Sequence, residues 1–239
     1  MKDLFSHKSP EYARYRPVYS DEMYEFLFSL PDRRNQALDA ATGNGQVARV
    51  LATKFRHVYA SDISKAQLNE APKLQNVDYM QAPAEKLPVP DGKIDLLTVA
   101  QAIHWFNIAK FEEEAWRILR PNGVLCYWGY ALGELSDRSW NDAFHEFYQS
   151  SLHYWHPERE IVDNHYSSIR MNRFSMNLRS FTLKIEWTSD HLLNYIQTWS
   201  AFPDMVMGLG QDVLKPLFSL KPESFIITFP VFLYYGRKA

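Results

Sequence analysis

Short apolar runs alternate with helical segments over residues 36–130, and this alternation predicts an α/β fold. Each run has the length and near-continuous apolar character of a strand buried in a parallel sheet. Between the runs, apolar side chains recur at helical spacing, as in Val47, Val50, Leu51 and Phe55. Because crossovers between parallel strands are right-handed, these elements predict a doubly wound sheet whose site lies beyond the carboxyl ends of its strands. The predicted strands are Gln36–Ala40, His57–Ser61, Val77–Gln81, Ile94–Ala100 and Gly123–Tyr130.

Two of the intervening helices have recognisable ends. One is predicted to begin with Asp62 or Ser64 as its N-cap and to end near Leu74. The other precedes the fifth strand and is closed by the turn Pro121-Asn122-Gly123.

Beyond Tyr130 the pattern changes to longer elements, and the final strand is interrupted by Pro230. A proline suits an edge strand or a bulge better than a central strand. The last two strands therefore predict an antiparallel pair at one edge of the sheet. The elements predicted in this part are helices over Asp137–Leu152 and Asp190–Ser200 and strands over Asn177–Trp187 and Phe225–Arg237.

The most informative motif follows the first predicted strand, where Asp39 precedes a turn of small residues from Ala41 to Gly45. An amphipathic helix begins after this turn, and the second strand leads into another acid, Asp62. Small residues let the backbone approach a ligand, and an acid at the end of the second strand accepts hydrogen bonds from ribose hydroxyls. The layout therefore predicts a site for an adenosine-type cofactor.

The glycine spacing indicates which adenosine cofactor to expect. Ala41 and Gln46 stand where the outer glycines of G-x-G-x-x-G would be, so the dinucleotide motif is not satisfied. A pyrophosphate needs close access to a helix N-terminus, whereas this loop suits a nucleoside without phosphates. The common cofactor of that kind is S-adenosylmethionine, and the spacing argues against a nicotinamide-dependent oxidoreductase.

Charge and composition narrow the class of partner. A formal net charge of −2 and a pI of about 6.4 provide no basic field, so neither nucleic acid nor an anionic membrane is an expected partner. No apolar run approaches a membrane span and the N-terminus lacks an apolar signal segment, so a cytoplasmic location is expected. The single cysteine, Cys126, excludes an internal disulfide, and no residues cluster as metal ligands.

Aromatic residues and histidines are concentrated between Trp140 and Trp199. This shift in composition suggests a separate task, such as a lid over an aromatic pocket; the alternative is that most of these rings pack in the core. No repeat or flexible linker divides the chain, so we predict a single domain of residues 1–239. Its predicted parts are a cofactor-binding core at 36–130, a lid and substrate region at 131–222 (the lid), and a final strand at 223–239.

Several motifs recur in the order found in one enzyme superfamily. They are Tyr12-Ala13-Arg14-Tyr15-Arg16-Pro17-Val18-Tyr19, the loop after Asp39, Ala84-Glu85-Lys86-Leu87-Pro88, Ala100-Gln101-Ala102-Ile103-His104-Trp105-Phe106 and Thr198-Trp199-Ser200. Together they resemble the class I S-adenosylmethionine-dependent methyltransferases, in particular the small-molecule branch that includes trans-aconitate methyltransferase-like proteins. The resemblance covers nearly the whole chain. It implies a Rossmann-like, mostly parallel seven-stranded sheet with an antiparallel edge strand and a helical lid.

The resemblance also implies which residues border the cofactor. Asp39 and the loop after it would lie beside the methionine part, and Asp62 would bind the ribose hydroxyls. Ile63 would pack on the adenine, and Arg16 could meet the cofactor's carboxylate. The full implied set is Tyr15, Arg16, Asp39, Ala41, Thr42, Gly43, Gly45, Asp62, Ile63, Ala84, Glu85 and Gln101.

Two positions depart from the family pattern. Ala41 replaces the first glycine of the loop, where a methyl group is harmless if φ is negative and narrows the cofactor's approach otherwise. Pro83 stands where related enzymes often carry an acid toward the adenine amino group, so that contact is lost or made by the backbone.

The resemblance places the catalytic residues just past the fourth strand. Gln101 would lie near the sulfonium and the substrate, and His104 and Trp105 would form the adjacent wall. His104 is either a general base or a packed loop residue. A carboxylate acceptor is ionised at neutral pH and needs no base, so cationic side chains would orient it. The candidates for that task, which could equally form a solvated basic face, are Arg170, Arg173 and Arg179.

These observations predict an enzyme that transfers a methyl group from S-adenosylmethionine to a small molecule and releases S-adenosylhomocysteine. The expected reaction is O-methylation of a carboxylate or a hydroxyl. In-line displacement needs an aligned nucleophile, and orientation can supply roughly 7–11 kcal/mol of the barrier. The alternative is a non-catalytic sensor or scaffold that binds the cofactor, a possibility that Ala41 and Pro83 leave open.

Overall fold

The structure, a computed structural model, describes residues 14–217 and 222–239. Tyr12 and Ala13 of the N-terminal motif lie outside the described residues. Within these ranges the chain forms one sheet of eight strands. The strands are β1 (Gln36–Ala40), β2 (His57–Asp62), β3 (Val77–Gln81), β4 (Ile94–Ala100), β5 (Leu119–Tyr130), β6 (Glu134–Leu135), β7 (Asn177–Thr188) and β8 (Ser224–Arg237).

The strand order is β3-β2-β1-β4-β5-β8-β6, and β7 pairs with β8. The pairs among β1 to β5 are parallel, whereas β8 runs antiparallel to β5, β6 and β7. The order reverses between β1 and β4, so their carboxyl ends flank the switch point at which such sheets bind ligands. The doubly wound, mostly parallel sheet is confirmed, and the two-residue β6 is the strand added to the seven expected.

Helices form the connections between strands. Several begin at a polar cap; for example, the side chains of Asn107 and Asp137 each accept a backbone N–H of the first helical turn. Across the described ranges, no helix has both the length and the apolar character that a membrane crossing requires. The helices are α1 (Asp21–Ser29), α2 (Gln46–Leu51), α3 (Lys65–Asn69), α4 (Ile108–Ile118), α5 (Arg138–Ser151), α6 (Arg159–Asp163), α7 (Ser189–Gln197) and α8 (Phe202–Leu209).

Helix α3 is shorter than the sequence predicts. It ends at Asn69 rather than near Leu74. Pro72 explains the early end, because proline lacks an N–H and disfavours helical backbone in the residue before it. Of the two N-cap candidates, Ser64 is the cap: its hydroxyl accepts the Gln67 amide at 3.2 Å.

Strand β5 begins earlier than predicted. Helix α4 ends at Ile118, and Leu119 already pairs with Ile94. A register shift follows, and regular pairing with β4 resumes at Val124. Asn122 within the shift has a φ of 62°, a left-handed conformation that asparagine tolerates.

The strand that carries Pro230 is interior, which corrects the expectation of an edge or a bulge. β8 lies between β7 on one side and β5 followed by β6 on the other. The Pro230 carbonyl accepts the Ala131 amide at 3.2 Å, so the proline nitrogen faces the same side, in the gap between β5 and β6. No strand amide is required at that point, and the missing N–H therefore does not interrupt the ladder.

Buried residues form two clusters, and neighbouring residues of a strand contribute to different clusters. In β1, Ala37 belongs to one cluster and Leu38 to the other, as expected when side chains alternate across a sheet. Lid rings such as Trp140 and Phe144 are fully buried in the first cluster. For these rings the core-packing alternative is correct. The division of the chain into core, lid and final strand stays a prediction.

Candidate active site

The turn between β1 and α2 is held in left-handed backbone conformations. Ala41 has a φ of 53°, Gly43 of 57° and Gly45 of 79°. A Cβ at Gly45 would also lie 2.8 Å from the Tyr79 hydroxyl oxygen, so a side chain there would displace the Tyr79 ring. The glycines suit this geometry, whereas Ala41 carries a methyl group in a conformation that strains an L-residue.

Asp39 lies at the start of this turn, with 1% of its surface exposed. Its carboxylate oxygens accept hydrogen bonds from the hydroxyls of Thr42 at 2.6 Å and Thr98 at 2.7 Å. Burial raises the pKa of Asp39 to about 6, against the lowering effect of these two hydrogen bonds, and the charge of Asp62 raises it further. Because its partners are neutral hydroxyls, the ionised carboxylate suits a cationic ligand.

Asp62 ends β2 and supports the same turn. Its Oδ2 accepts the Gly43 amide at 2.8 Å, and its Oδ1 accepts the Ser64 amide at 2.8 Å. A carboxylate oxygen can accept more than one hydrogen bond, so these amide bonds are compatible with a ligand hydroxyl at the same group. The backbone thus fixes the orientation of the acid that the sequence predicts for ribose binding.

A cavity opens beside the turn, at the carboxyl ends of β1 and β4; we call it the turn cavity. The N-terminal segment covers it, since the Pro17 carbonyl accepts the side-chain amide of Gln46 at 3.1 Å. Tyr130 of β5 also lines it, a residue that no sequence motif singles out. The predicted cofactor residues that line this cavity are Arg16, Asp39, Ala41, Thr42, Gly43 and Gln101.

Gln101 and Arg16 lie between the turn cavity and a second cavity, and they line both. Gln101 has a φ of 53°, and its side-chain amide pairs with the backbone of Tyr130: Nε2 donates at 3.0 Å and Oε1 accepts at 2.9 Å. Arg16 donates to the Thr198 carbonyl at 2.9 Å and to the Tyr130 hydroxyl at 3.3 Å. Both residues are therefore fixed at the boundary by hydrogen bonds.

We call the second cavity the lid cavity, because the lid supplies much of its wall. His104 and Trp105, which follow β4, line this cavity, and their catalytic role stays a prediction. The ring of His156 meets Trp105 edge-on, with 5.7 Å between ring centres. The lid residues in this wall are Trp155, His156, Arg159, Val162 and Ser200.

Arg159 is held in the wall of the lid cavity by its neighbours. Its Nε donates to Asp163 at 2.9 Å, and its guanidinium lies 4.5 Å from the centre of the Trp155 ring. The Tyr148 hydroxyl donates to the other oxygen of Asp163 at 2.7 Å. The bond to Asp163 engages Nε, and further guanidinium donors remain for a ligand.

His104 is a neutral ring in this cavity. Its Nδ1 lies 3.2 Å from the Tyr166 hydroxyl oxygen. Burial lowers the pKa of His104 to about 3, and the charge of Arg159 contributes to the same shift. A ring with this pKa is a poor proton acceptor near neutral pH, so of the two roles left open for His104 the general base is disfavoured.

Some predicted cofactor residues line neither cavity. The Tyr15 ring packs against His191, with ring centres 5.2 Å apart. Glu85 accepts the Asn107 amide at 2.9 Å. The implied roles of these residues around the cofactor stay predictions. The full set outside both cavities is Tyr15, Gly45, Asp62, Ile63, Ala84 and Glu85.

The arginines suggested for orienting a carboxylate line neither cavity. Arg170, Arg173 and Arg179 are exposed, and they contact Ser167, Trp116 and Phe26, respectively. The arginines that line the lid cavity are Arg16 and Arg159. No local sequence pattern selects Arg159, because residues 155–158 are not helical and its contact with Trp155 arises from the fold of the lid.

Replacing Ala41 with glycine is expected to raise the free energy of unfolding by about 0.5–1 kcal/mol. The left-handed conformation costs an L-residue about 1–2 kcal/mol, and the greater freedom of glycine in the unfolded chain offsets part of the gain. Urea unfolding measures the change, with Ala40→Gly in β1 as the control that should destabilise. Equal destabilisation by both substitutions would contradict the strain at Ala41.

The chain is similar in sequence to known methyltransferases. A methyltransferase domain family matches residues 38–127, from β1 into β5. A Dictyostelium discoideum protein described as a methyltransferase is 32% identical over 250 positions, covering 99% of this chain and 95% of that protein. The ubiquinone/menaquinone biosynthesis C-methyltransferase of Rickettsia prowazekii is 30% identical over 142 positions, 52% of this chain and 57% of that protein.

A solved structure shows the same architecture. It is described as a type II methyltransferase from Anaeromyxobacter dehalogenans, and its TM-score is 0.84 at 28% identity. The similarity covers 93% of this chain and 98% of that one. The matched family region contains the turn cavity's Asp39 and the wall residues Gln101 and His104, whereas Arg159 lies outside it.

Proposed function

The chain belongs to the class I S-adenosylmethionine-dependent methyltransferases, and we propose that it methylates a carboxylate oxygen of a small organic acid. The observation that supports this acceptor is the lid cavity. Its wall holds Arg159 and Arg16 beside aromatic rings, and none of the described residues that line it is acidic. An anionic group fits this wall, and the shared residues Arg16 and Gln101 would bring it next to the cofactor.

The turn cavity matches the charges of the cofactor. S-adenosylmethionine carries a sulfonium and an ammonium, which are cationic, and one carboxylate. Asp39 supplies a buried negative charge on one part of the wall, and Arg16 supplies a positive charge on another. When bound, the cofactor supplies an electrophilic methyl group and leaves as S-adenosylhomocysteine. Asp62 would hold the ribose, and Gly43 would let the backbone approach the methionine part, whereas the methyl group of Ala41 narrows that approach.

The work of the protein is then to bind, orient and desolvate the acceptor. A guanidinium binds a carboxylate through paired, charge-assisted hydrogen bonds, which fix direction as well as position. Trp105 and Trp155 line the same cavity, and their rings would exclude water from it around a bound acceptor. A carboxylate is already ionised at neutral pH, so no side chain has to remove a proton. A hydroxyl acceptor would need a base, and His104 is too weak for that task.

Methyl transfer to a panel of acids tests this proposal. The protein is incubated with methyl-labelled S-adenosylmethionine and mono-, di- and tricarboxylic acids, including trans-aconitate, each beside its amide as the matched control. We expect label in the acids alone and its release as methanol in mild alkali, as methyl esters behave. An alkali-stable product, or transfer to the amides, would contradict a carboxylate acceptor. Cofactor binding without any transfer would favour the non-catalytic alternative.

Affinity for S-adenosylmethionine is expected to decrease below about pH 6, the pKa to which burial raises Asp39. The protonated acid contributes to folding stability at low pH, and that contribution is lost as the pH rises through 6. Cofactor binding has the opposite dependence, because a cationic ligand needs the ionised form. Calorimetric titration at pH 5 and pH 7 should show about tenfold weaker binding at pH 5. Asp39→Asn should bind S-adenosylmethionine weakly at both pH values. If this variant keeps the pH dependence of the unsubstituted protein, a group other than Asp39 is responsible for it.

A further inference from the structure

The lid carries a strained turn next to β5. His165 and Tyr166 are consecutive non-glycine residues with φ of 53° and 58°. Such a conformation is unfavourable for a non-glycine residue and persists where surrounding contacts impose it. His165 stacks on Phe232 with ring centres 4.9 Å apart, and its carbonyl accepts the Tyr234 hydroxyl at 3.0 Å. These contacts hold the turn in place.

The strained turn places the Tyr166 side chain behind the wall of the lid cavity, against His104. Its ring is fully buried and meets Phe232 edge-on at 5.0 Å. A Cβ on Gly129 of β5 would lie 2.9 Å from the Tyr166 hydroxyl oxygen and 2.7 Å from Oε1 of Gln101. Glycine at this position therefore leaves room for the hydroxyl beside the wall residue Gln101. The same hydroxyl is the group 3.2 Å from Nδ1 of His104.

We propose that Tyr166 is a positioning residue that donates its hydroxyl proton to Nδ1 of His104 and so fixes the neutral ring with its own proton on Nε2. A phenol hydroxyl is a stronger donor than acceptor, and an unprotonated imidazole nitrogen is a good acceptor. In a neutral imidazole one nitrogen donates and the other accepts, so the bond at Nδ1 determines the role of Nε2.

Nε2 is then available to a ligand. Within the described residues it makes no hydrogen bond, and His104 borders the lid cavity together with Arg16 and Arg159. With Nε2 protonated, all three side chains present donors to that cavity. An acceptor group with several lone pairs and no proton, as in a carboxylate, matches three donors. This role toward the acceptor rests on the proposed function, whereas the tautomer of His104 does not.

Nitrogen chemical shifts of His104 test the tautomer in the free protein. Long-range proton–nitrogen correlation spectra of ¹⁵N-labelled protein distinguish a protonated ring nitrogen from an unprotonated one, and His104→Gln identifies the signals. We expect protonated Nε2 and unprotonated Nδ1 at pH 7. Tyr166→Phe should convert this pattern to a mixture of tautomers. Tyr127→Phe removes another buried hydroxyl near the same rings and should leave the pattern unchanged.

Protonated Nδ1 in the unsubstituted protein would overturn the proposal, and so would an unchanged pattern in Tyr166→Phe. Neither chemical-shift measurement needs an acceptor. Both therefore test the tautomer of His104 even if the acid panel shows no methyl transfer. With an active acceptor, Tyr166→Phe should lower kcat/KM about five- to tenfold, the effect of one weakened hydrogen bond, with the affinity for S-adenosylhomocysteine unchanged. An equal loss in Tyr127→Phe would mean that packing, not the His104 bond, is responsible.

Discussion

Arg159→Gln is expected to lower kcat/KM for the acceptor about 100-fold while S-adenosylmethionine binds as before. A hydrogen bond to a charged group contributes about 1.5–3 kcal/mol, and a guanidinium can make two to one carboxylate. The 100-fold loss corresponds to about 2.7 kcal/mol, within that range. Arg159 lines the lid cavity and not the turn cavity, so the loss should appear in steps that involve the acceptor.

The controls for this variant separate charge from packing. Asp163 keeps the hydrogen bond from Tyr148 after the substitution, which limits damage to the lid. Arg173→Gln makes the same chemical change at an exposed position over Trp116, outside both cavities, and should have no effect on kcat/KM. A matching decrease in cofactor affinity for Arg159→Gln, or full activity, would contradict an acceptor site at this arginine.

Asp62→Ala is expected to weaken binding of both S-adenosylmethionine and S-adenosylhomocysteine at least 100-fold. Two ribose hydroxyls would each lose a hydrogen bond to a charged acceptor, which contributes about 1.5–3 kcal/mol per bond. The Gly43 and Ser64 amides would lose their acceptor as well, which loosens the turn. Calorimetric titration with each ligand measures the effect directly, without an acceptor.

Two controls distinguish ribose binding from support of the turn. Ser64→Ala removes the cap of α3 but keeps the Asp62 carboxylate, so it should retain most of the affinity. The 2′-deoxy analogue of S-adenosylhomocysteine lacks one of the two hydroxyls, so its affinity should depend less on Asp62. If the substitution weakens the analogue and the natural ligand equally, the carboxylate acts through the turn and not through the ribose.

The sheet could be predicted from the sequence because its strands are short, buried and nearly continuous in apolar character. Ile94–Ala100 is predicted with the bounds that the structure shows. Pro230 was misread because its tolerance depends on the gap between β5 and β6, which only the pairing of distant strands reveals. Helix α3 was predicted too long because apolar spacing continues past Asn69, where the approaching Pro72 ends the helix.

The grouping of acids and glycines around the turn was predictable for a related reason. Asp39, Gly43 and Asp62 lie within or next to strand ends, and parallel strands bring their carboxyl ends to one edge of the sheet. Arg159 was missed because its position depends on how the lid folds back over β4 and β5, through contacts that leave no local pattern. The proposed role of Tyr166 depends likewise on two left-handed residues, which its sequence neighbours do not indicate.

A crystal structure of the protein with S-adenosylhomocysteine and the best acid from the panel tests the central claim most directly. The claim is that a cofactor in the turn cavity and a carboxylate in the lid cavity meet at the wall formed by Arg16 and Gln101. We expect the cofactor's ribose to bind Asp62 and the acid's carboxylate to bind Arg159, with one carboxylate oxygen facing the cofactor's sulfur. An acid bound away from Arg159, or directed away from the sulfur, would contradict it.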